Sequence, residues 1–280
     1  MAAFLDEEAF IQLFAREMEL PEDLALGLDS RLVEDLGFDS LQMMLAVELI
    51  SELVGEASAP EDELEIIEAL GTLRSVYSYY VTKFSAPQQE QVADPDAPGA
   101  LRLRGSLVEL KPPGGEHYGR LYEIAISTEV AWRWRYGGAV PSYDEFIRTF
   151  DTGVLTQLVV TRPRSNEPVG LVVAYNANPM KKHAYLAAVV EPRLIGSGAG
   201  AEAVTLFLGY VFGAWDFEKL YLELPEFNLA QFESGLDRYV RQEGRLRSHI
   251  YHAGKRWDQL VLAIYRDELM NRRKLGPVGS

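Results

Sequence analysis

Residues 184 to 203 read AYLAAVVEPRLIGSGAGAEA, and this stretch decides the fold of most of the chain. An apolar strand pattern, Tyr185 to Val190, leads into a proline-bearing turn and then into glycine at every second position, Gly196, Gly198 and Gly200. An apolar helical pattern follows at once. Glycine lets the backbone approach a phosphate closely, and the N–H groups that precede a helix bind an anion together with the helix dipole. The stretch therefore predicts a phosphate-binding strand, loop and helix.

Strand and helix patterns alternate on both sides of this unit, which is typical of an α/β (α+β) domain with a mixed sheet flanked by helices. A helix is predicted after the glycines, and a further helix begins at about Asn228. The other predicted elements are strands at Leu101–Leu110, Thr156–Thr161, Val169–Tyr175, Leu220–Leu224, Arg245–His252 and Trp257–Tyr265, and helices at Gly119–Trp134 and Tyr143–Phe150.

The glycine-rich stretch, with Glu202 after it, resembles the acyl-CoA-binding motif of the GNAT acyltransferase superfamily. Leu220 to Leu224 and Asn228 follow at the distances of that pattern. Gly244 to Arg247 resembles the ribosomal-protein N-terminal acetyltransferase branch. The resemblance covers nearly all of residues 101 to 268. It implies an N-acyltransferase in which an amine attacks a thioester carbonyl in a groove between two strands that splay apart.

The resemblance also implies which residues form the site. A backbone N–H of Val189 or Val190 would stabilise the oxyanion, and a side chain at Gly198 is predicted to slow transfer without unfolding the domain. The residues it implies for binding the acyl donor are Val189, Val190, Ile195, Gly196, Gly198, Gly200 and Asn228, and a second resemblance, described below, adds Ser40 as the attachment point of a cofactor. The candidate proton acceptors and donors are Glu223, Tyr185 and Tyr239.

Three positions depart from the pattern of the superfamily. Ile195 stands where the phosphate loop usually begins with Arg or Gln, and Gly235 stands where a general-acid Tyr is usual. Tyr185 replaces a Glu found early in the central strand of many members. The general base and the general acid therefore stay unassigned.

A second informative stretch, Gly37 to Leu41, lies in the N-terminal part of the chain. Asp39 is a predicted N-cap, and Gln42 follows with the spacing of a capping box. Ser40 then lies in the first turn of a helix. Its hydroxyl is expected to face solvent, next to free N–H groups that can hold a phosphodiester.

The Asp-Ser-Leu sequence resembles the attachment motif of acyl carrier proteins, in which 4′-phosphopantetheine is joined to the serine. The resemblance extends over residues 1 to 84, where helical patterns flank Ser40 and another follows at Glu63 to Leu70. It implies an all-α four-helix bundle with 4′-phosphopantetheine on Ser40, and a chain that is multidomain. The partners it implies are a phosphopantetheinyl transferase, an acyl-loading enzyme and a small-molecule acceptor that bears an amine.

Charge divides the chain at the same place as the motifs. Residues 1 to 83 contain 19 Asp and Glu against 4 Lys and Arg, whereas residues 84 to 280 contain 23 of each kind. The N-terminal part therefore carries the whole net charge of −15. An acidic surface attracts basic partner surfaces and opposes nucleic-acid binding.

A polar segment, residues 85 to 100, is predicted to link an acyl carrier domain (1 to 84) to a GNAT-like domain (101 to 273). A flexible coil of about 15 residues spans roughly 20 Å and holds its ends at an effective concentration on the order of millimolar. The chain has no cysteine and its four histidines lack metal-ligand spacing, so no thiolate and no metal site is predicted. Without a signal sequence or a long apolar run, we expect a cytoplasmic protein with no membrane contact.

Three functions fit these patterns. The first is an acyltransferase of specialised metabolism, of polyketide or nonribosomal-peptide type, that moves an acyl group from the arm on its own carrier to an amine. In the second, the GNAT-like domain loads the arm from acyl-CoA, or N-acylates an aminoacyl group tethered there. In the third, that domain is a non-catalytic docking scaffold for the carrier. Trp132 to Tyr136 are expected to form either an acceptor pocket or the buried end of a helix.

Overall fold

The computed structural model describes residues 4–21, 24–54, 70–85, 101–132, 134, 136–163, 166–236 and 239–272. The helix predicted at residues 63 to 70 and the linker predicted at 85 to 100 therefore lie almost wholly outside the described residues. The division of the chain into domains stays a prediction.

The N-terminal region contributes three described helices, α1 (Glu7–Glu17), α2 (Ser40–Val54) and α3 (Leu73–Ser85). They pack around a small aromatic core, in which Phe10 of α1 lies 5.3 Å from the ring of Tyr80 on α3. The region is helical, as expected. The four-helix bundle stays a prediction, because the fourth predicted helix lies outside the described residues.

The rest of the described chain forms one eight-stranded mixed sheet in the order β1-β2-β3-β4-β5-β6-β8-β7. The strands are β1 (Leu103–Arg104), β2 (Glu109–Lys111), β3 (Val154–Thr161), β4 (Pro168–Asn178), β5 (His183–Val190), β6 (Lys219–Pro225), β7 (Arg241–His252) and β8 (Lys255–Tyr265). The helices are α4 (Tyr118–Ile126), α5 (Tyr143–Thr149), α6 (Ala199–Ala214) and α7 (Arg266–Arg272). The mixed α/β architecture predicted from the sequence is confirmed.

Helices cover both faces of the sheet, because side chains alternate along each strand. On β5, Ala184 and Leu186 belong to the core that contains α6, and on β6 Leu220 belongs to the same core. The alternate residues Ala187 and Val189 pack toward the core of α4 and α5. The sheet thus separates two compartments.

The sheet opens between one pair of strands, β5 and β6. All neighbouring strands are antiparallel except β5 and β6, which pair in parallel only from His183 to Tyr185 and from Lys219 to Tyr221. Beyond Tyr185, β5 continues beside β4 to Val190, whereas β6 continues beside β8 to Pro225. The two strands therefore splay apart, as the GNAT resemblance implies.

Three predicted elements differ from those observed. Leu101–Leu110 is two short strands, β1 and β2, because the chain turns at Gly105. The helix predicted at Gly119–Trp134 is α4, which ends at Ile126. The chain from Glu226 to Gly235 forms a 3₁₀-helix, where an α-helix beginning near Asn228 was predicted.

Candidate functional site

The glycine-rich loop lies between the end of β5 and the start of α6. Gly196 and Gly198 have φ angles of 86° and 90°, in the left-handed region that favours glycine. Gly198 is the N-cap of α6 and has no side chain to cap it, but the preceding Ser197 Oγ accepts the N–H of Ala199 at 3.3 Å. A Cβ atom at Gly200 would lie 3.8 Å from the side chain of Val190, so the loop packs against the end of β5. The first N–H groups of α6 have no acceptor within the helix itself.

Glu202, the acidic residue in the first turn of α6, serves another part of the chain. Its carboxylate accepts hydrogen bonds of 2.8 Å from the backbone N–H groups of Ser106, Leu107 and Val108. Burial raises the pKa of this carboxyl group, and the three hydrogen bonds oppose that effect. Glu202 therefore holds the turn between β1 and β2, and its carboxylate is engaged away from the N-terminus of α6.

A buried carboxylate fixes the other end of the loop. Glu191 follows β5 directly and accepts hydrogen bonds from Arg120 at 2.8 Å, from Arg162 at 3.3 Å and from Arg193. Its own backbone N–H donates to Val169 O at 2.7 Å. The three arginines lie on different segments, so this network ties the start of the loop to the rest of the domain.

The N-terminus of α2 is capped as predicted. Asp39 Oδ1 accepts the N–H groups of Leu41 at 3.0 Å and Gln42 at 3.1 Å, and the Gln42 side chain accepts the Asp39 N–H at 3.2 Å. This is the complete capping box. The expectation that N–H groups next to Ser40 are free for a phosphodiester is wrong for Leu41 and Gln42, because the Asp39 carboxylate already holds both.

Helix α2 packs against the glycine-rich loop. A Cβ atom at Gly198 would lie 2.8 Å from the amide nitrogen of Met44 and 3.1 Å from its Cα. Contact this close between two backbones requires glycine. A side chain at Gly198 would meet helix α2 directly, and our prediction for that position therefore has to include the loss of this packing.

A second glycine receives the same helix. A Cβ atom at Gly235 would lie 3.0 Å from Cδ2 of Leu41, and Gly235 itself is buried. A tyrosine at this position would occupy the space that Leu41 fills. The departure from the superfamily pattern at Gly235 therefore has a physical counterpart, since it makes room for α2.

Ser40 is buried, with 8% of its surface exposed. We expected its hydroxyl to face solvent, and that expectation is wrong for this arrangement. Ser40 lies one helical turn before Met44, on the same face of α2. The residue is therefore covered on the side of the helix that packs against the loop.

An apolar cavity of about 80 Å³ lies beneath α2. Three α2 residues, Leu41, Met44 and Leu45, form one wall, and we call them the α2 face. Thr205 Oγ1 on α6 lies 3.7 Å from Met44 Sδ. The remaining lining is Ala201, Val204 and Leu208 of α6, Leu222 and Leu224 of β6, Gly235, Tyr239, Val240, Leu262, Ile264 and Leu269. The cavity thus runs from the N-terminal helices to the splayed strand β6.

Two of the candidate catalytic residues lie on the opposite face of the sheet. Tyr185 lies on β5 with its ring centroid 5.4 Å from Tyr221 on β6, at the point where the strands separate. Burial raises the pKa of Tyr185, and the charge of Glu223 raises it further. Glu223 is exposed and accepts a hydrogen bond of 3.0 Å from Gln259. The structure thus brings Tyr185 and Glu223 together.

The third candidate, Tyr239, lines the cavity on the α6 side and does not join the other two. Asn228 lies in the 3₁₀-helix that follows β6. Ile195 is half-buried in extended conformation at the start of the loop, and Val189 and Val190 end β5 beyond the splay. The candidate catalytic residues therefore lie on both faces of the sheet.

Trp132 and Trp134, which follow α4, pack in two different places. Trp134 is buried in the core of α4 and α5, as one of the two interpretations predicted. Trp132 stacks on His252 with ring centroids 3.9 Å apart, and Phe227 lies 5.0 Å from Trp132. His252 ends β7, in agreement with the expected strand-end position. Within the described ranges, no group of His, Asp and Glu side chains could hold a metal ion.

Sequence reasoning missed a polar cluster beside Tyr221. Glu243 accepts hydrogen bonds from Lys219 Nζ at 2.7 Å, from Tyr221 Oη at 2.9 Å and from Tyr265. Burial works to raise the pKa of Glu243, but these hydrogen bonds outweigh it and lower the pKa. The residues come from β6, β7 and β8, and no sequence spacing indicates that they meet.

Comparison with solved structures identifies the fold of the sheet-bearing part. A chimeric spermidine N-acetyltransferase built from Vibrio cholerae and human sequences is 18% identical over 59% of this chain and 99% of its own, with a TM-score of 0.51. Spermidine N-acetyltransferase of Vibrio cholerae, solved with CoA and spermine, is 19% identical over 60% of this chain and 100% of its own, with a TM-score of 0.52.

No family model and no curated protein matches the chain. At these identities the structural likeness shows the fold alone, which is the GNAT-type N-acetyltransferase fold predicted from the glycine-rich stretch. No described helix is both long and apolar enough to cross a membrane.

Proposed function

We propose that the chain is an N-acyltransferase that moves an acyl group from a 4′-phosphopantetheine thioester on Ser40 to an amine, within one molecule. The single observation that carries the proposal is the packing of α2 on the glycine-rich loop. Ser40 belongs to the helix that covers Gly198, so an arm attached there starts at the phosphate-binding end of a GNAT-type fold.

The N-termini of α2 and α6 would have different roles when the arm is attached. The Asp39 carboxylate already caps the N-terminus of α2. At the N-terminus of α6 the Ser197 hydroxyl accepts one N–H, that of Ala199, and the helix dipole favours an anion there. A phosphodiester on Ser40 would therefore be held by the loop and α6. A single phosphodiester also explains why an Ile at position 195 suffices.

The path of the arm follows the cavity toward the splayed strands. Its lining is almost entirely apolar, and it reaches Leu222 and Leu224 on β6. The thioester would then lie at the gap between β5 and β6, next to the end of β5. The acceptor amine would approach from the face that carries Tyr185 and Glu223.

The reaction needs no nucleophilic side chain. The amine nitrogen attacks the thioester carbonyl carbon, and the N–H of Val189 or Val190 stabilises the oxyanion. The carbon–sulfur bond then breaks, the arm leaves as a thiolate, and the nitrogen loses one proton. The products are an amide and the free thiol of the arm.

Two residues fit the proton transfers. Glu223 is an exposed carboxylate on the acceptor face and would take the proton from nitrogen. Tyr239 lines the cavity on the arm side and would protonate the thiolate, in place of the Tyr that Gly235 lacks. Because the pKa of Tyr185 is raised, this residue stays protonated and would orient the acceptor as a hydrogen-bond donor.

The partners follow from this chemistry. A phosphopantetheinyl transferase must attach the arm, a separate acyl-loading enzyme must charge its thiol, and a small molecule that bears an amine must accept the acyl group. The product would be an amide of specialised metabolism.

The test follows the intact mass of the protein. Because Ser40 is buried while α2 is docked, a broad phosphopantetheinyl transferase with acyl-CoA must act on the undocked form, and it should add one acylated arm to the native chain and none to Ser40→Ala. Added amines should then remove the acyl group at a single-turnover rate that does not depend on protein concentration. The matched control is the same reaction with Glu223→Gln, which should accept the arm normally and release the acyl group at least about 100-fold more slowly.

Three outcomes would contradict the proposal. A rate proportional to protein concentration would mean transfer between molecules. Uptake of an acyl group from free acyl-CoA by protein with an unacylated arm would favour the loading reaction. An acyl group that persists with every amine would favour a docking scaffold without catalysis.

A further inference from the structure

We propose that Gly198 in the glycine-rich loop and Gly235 in the segment after β6 together form a docking site for α2, and that this docking closes the acyltransferase domain to free acyl-CoA. The donor is then restricted to a thioester carried on the molecule's own arm. This inference rests on the proposed function, and it names the class of donor that the same site accepts.

The first step is steric. The backbone of Met44 lies where a Cβ atom of Gly198 would be, at 2.8 Å from the amide nitrogen. Gly198 is the N-cap residue of α6, at which a diphosphate of a free nucleotide cofactor would have to sit to reach the helix N-terminus. Helix α2 and a bound CoA therefore compete for the surface of Gly198.

The second step is that the docking surface is complementary at two separate places. Gly198 receives the backbone of α2, and Gly235, 37 positions later in the chain, receives the side chain of Leu41. Met44 is buried and also contacts Thr205. The α2 face is apolar, so undocking would expose three large side chains to water, which disfavours the open state.

The third step is electrostatic. Residues 1 to 83 carry a net charge of −15, and Glu48 on α2 is close enough to Glu202 to raise the pKa of that residue. CoA carries several negative charges, so the docked helical region repels it. An arm on Ser40 brings one phosphodiester and is already tethered. Charge and sterics thus select the same donor.

A simple population argument sets the size of the effect. When only a fraction of the molecules can bind a ligand, the apparent association constant is the intrinsic constant multiplied by that fraction. If α2 is docked in nine molecules out of ten or more, free CoA should bind at least about tenfold more weakly than it binds the open form.

The test uses the full-length apo chain, with Ser40 unmodified, and CoA as the probe in isothermal titration calorimetry. Met44→Asp places a charge in the α2 face and should make CoA binding at least about tenfold tighter than in the native chain. Ser78→Asp adds the same charge at an exposed position on α3 and should bind CoA as the native chain does. Far-ultraviolet circular dichroism checks that each variant is folded.

If Met44→Asp fails to fold, Gly235→Leu replaces it, because a side chain at Gly235 displaces Leu41 without altering the helical region. Gly213→Leu is its control, since a Cβ atom at Gly213 has no neighbour within 4 Å. Equal CoA affinity in the native and opened chains, or no CoA binding by the opened chain, would overturn the inference.

The experiment separates this inference from the proposed function. CoA binding is measured without an arm, an acyl group or an amine. Selective opening of the CoA site with no acyl transfer from a loaded arm would refute the proposed function alone. Normal transfer from the arm with equal CoA affinity in all variants would refute only the docking inference.

Discussion

Helices α2 and α6 pack against each other near their N-termini, and the two N-termini are capped differently. Helix α2 is closed by the carboxylate of Asp39, which accepts two backbone N–H groups. Helix α6 has Gly198 as its N-cap, which has no side chain, and the Ser197 hydroxyl accepts the Ala199 N–H at 3.3 Å. Unoccupied N–H groups at a helix N-terminus favour an anion, whereas a capping carboxylate occupies these groups itself. In the proposed function, anion binding falls to α6 and the attachment point, Ser40, lies on α2.

The strongest way to break this comparison is to put a side chain on the open helix end. In Gly198→Ala the new Cβ collides with the backbone of Met44, so α2 can no longer dock. We expect single-turnover transfer from the arm to fall by about 100-fold, the size of effect that a misplacement of about 1 Å produces.

The matched control is Gly196→Ala. Gly196 has almost the same positive φ as Gly198, 86° against 90°, but a Cβ atom there has no neighbour within 4 Å. Both variants carry the same left-handed strain, and only one disturbs α2. Equal loss of transfer in the two variants would show that backbone strain, and not docking, explains the effect.

A second prediction concerns Glu202, which lies in the first turn of α6 and binds the backbone N–H groups of another segment. Glu202→Gln places an amide group against three backbone N–H donors, and we expect a loss of about 3 kcal/mol in the free energy of unfolding. Chemical denaturation of the native and variant chains measures this difference. A loss below about 1 kcal/mol would mean that the turn at residues 106 to 108 is held by other contacts.

The same pair of chains has a defined pH dependence. The pKa of Glu202 is raised in the folded state, so the folded state binds this proton more tightly than the unfolded state. Protonated Glu202 contributes to the free energy of unfolding. This contribution is fully present below the ordinary Glu pKa of about 4.3, and it is lost as pH rises through the raised pKa of the folded state. The advantage of the native chain over Glu202→Gln should therefore shrink as pH rises in that window.

The smallest predicted effect is the loss of the cap that α2 possesses. Asp39→Ala removes the acceptor for the N–H groups of Leu41 and Gln42, and N-cap removal typically lowers stability by about 1 kcal/mol. Thermal unfolding measures the change. Gln42→Ala, which removes only the reciprocal hydrogen bond to Asp39, should have a smaller effect. A larger loss for Gln42→Ala than for Asp39→Ala would contradict the capping assignment.

Local patterns predicted the units that fold locally. The strand before the proline, the glycine loop and α6 are contiguous, and each rests on a short-range rule: alternation, positive φ and helical periodicity. The capping box at Asp39 and Gln42 was equally accessible, because its hydrogen bonds join residues three apart. The start of α2 at Ser40 follows from that box.

Local patterns were wrong where a distant group decides the conformation. Leu101 to Leu110 alternates as one strand would, but the carboxylate of Glu202 collects three N–H groups there and forces a turn. A Cβ atom at Gly105 would lie 2.4 Å from that carboxylate, so Gly105 is required by a residue 97 positions away. No window of sequence contains both.

The sequence by itself determined two local chemistries, a serine in a capped helical turn and a glycine-rich loop before a helix, because each depends on neighbours in the chain. Only the tertiary structure decided that they meet. Met44 approaches Gly198, and Leu41 approaches Gly235, across more than 150 positions, and such contacts depend on how whole surfaces fit together. The same packing buries Ser40, which the sequence placed in solvent. It also places the cavity between α2 and the splayed strand β6.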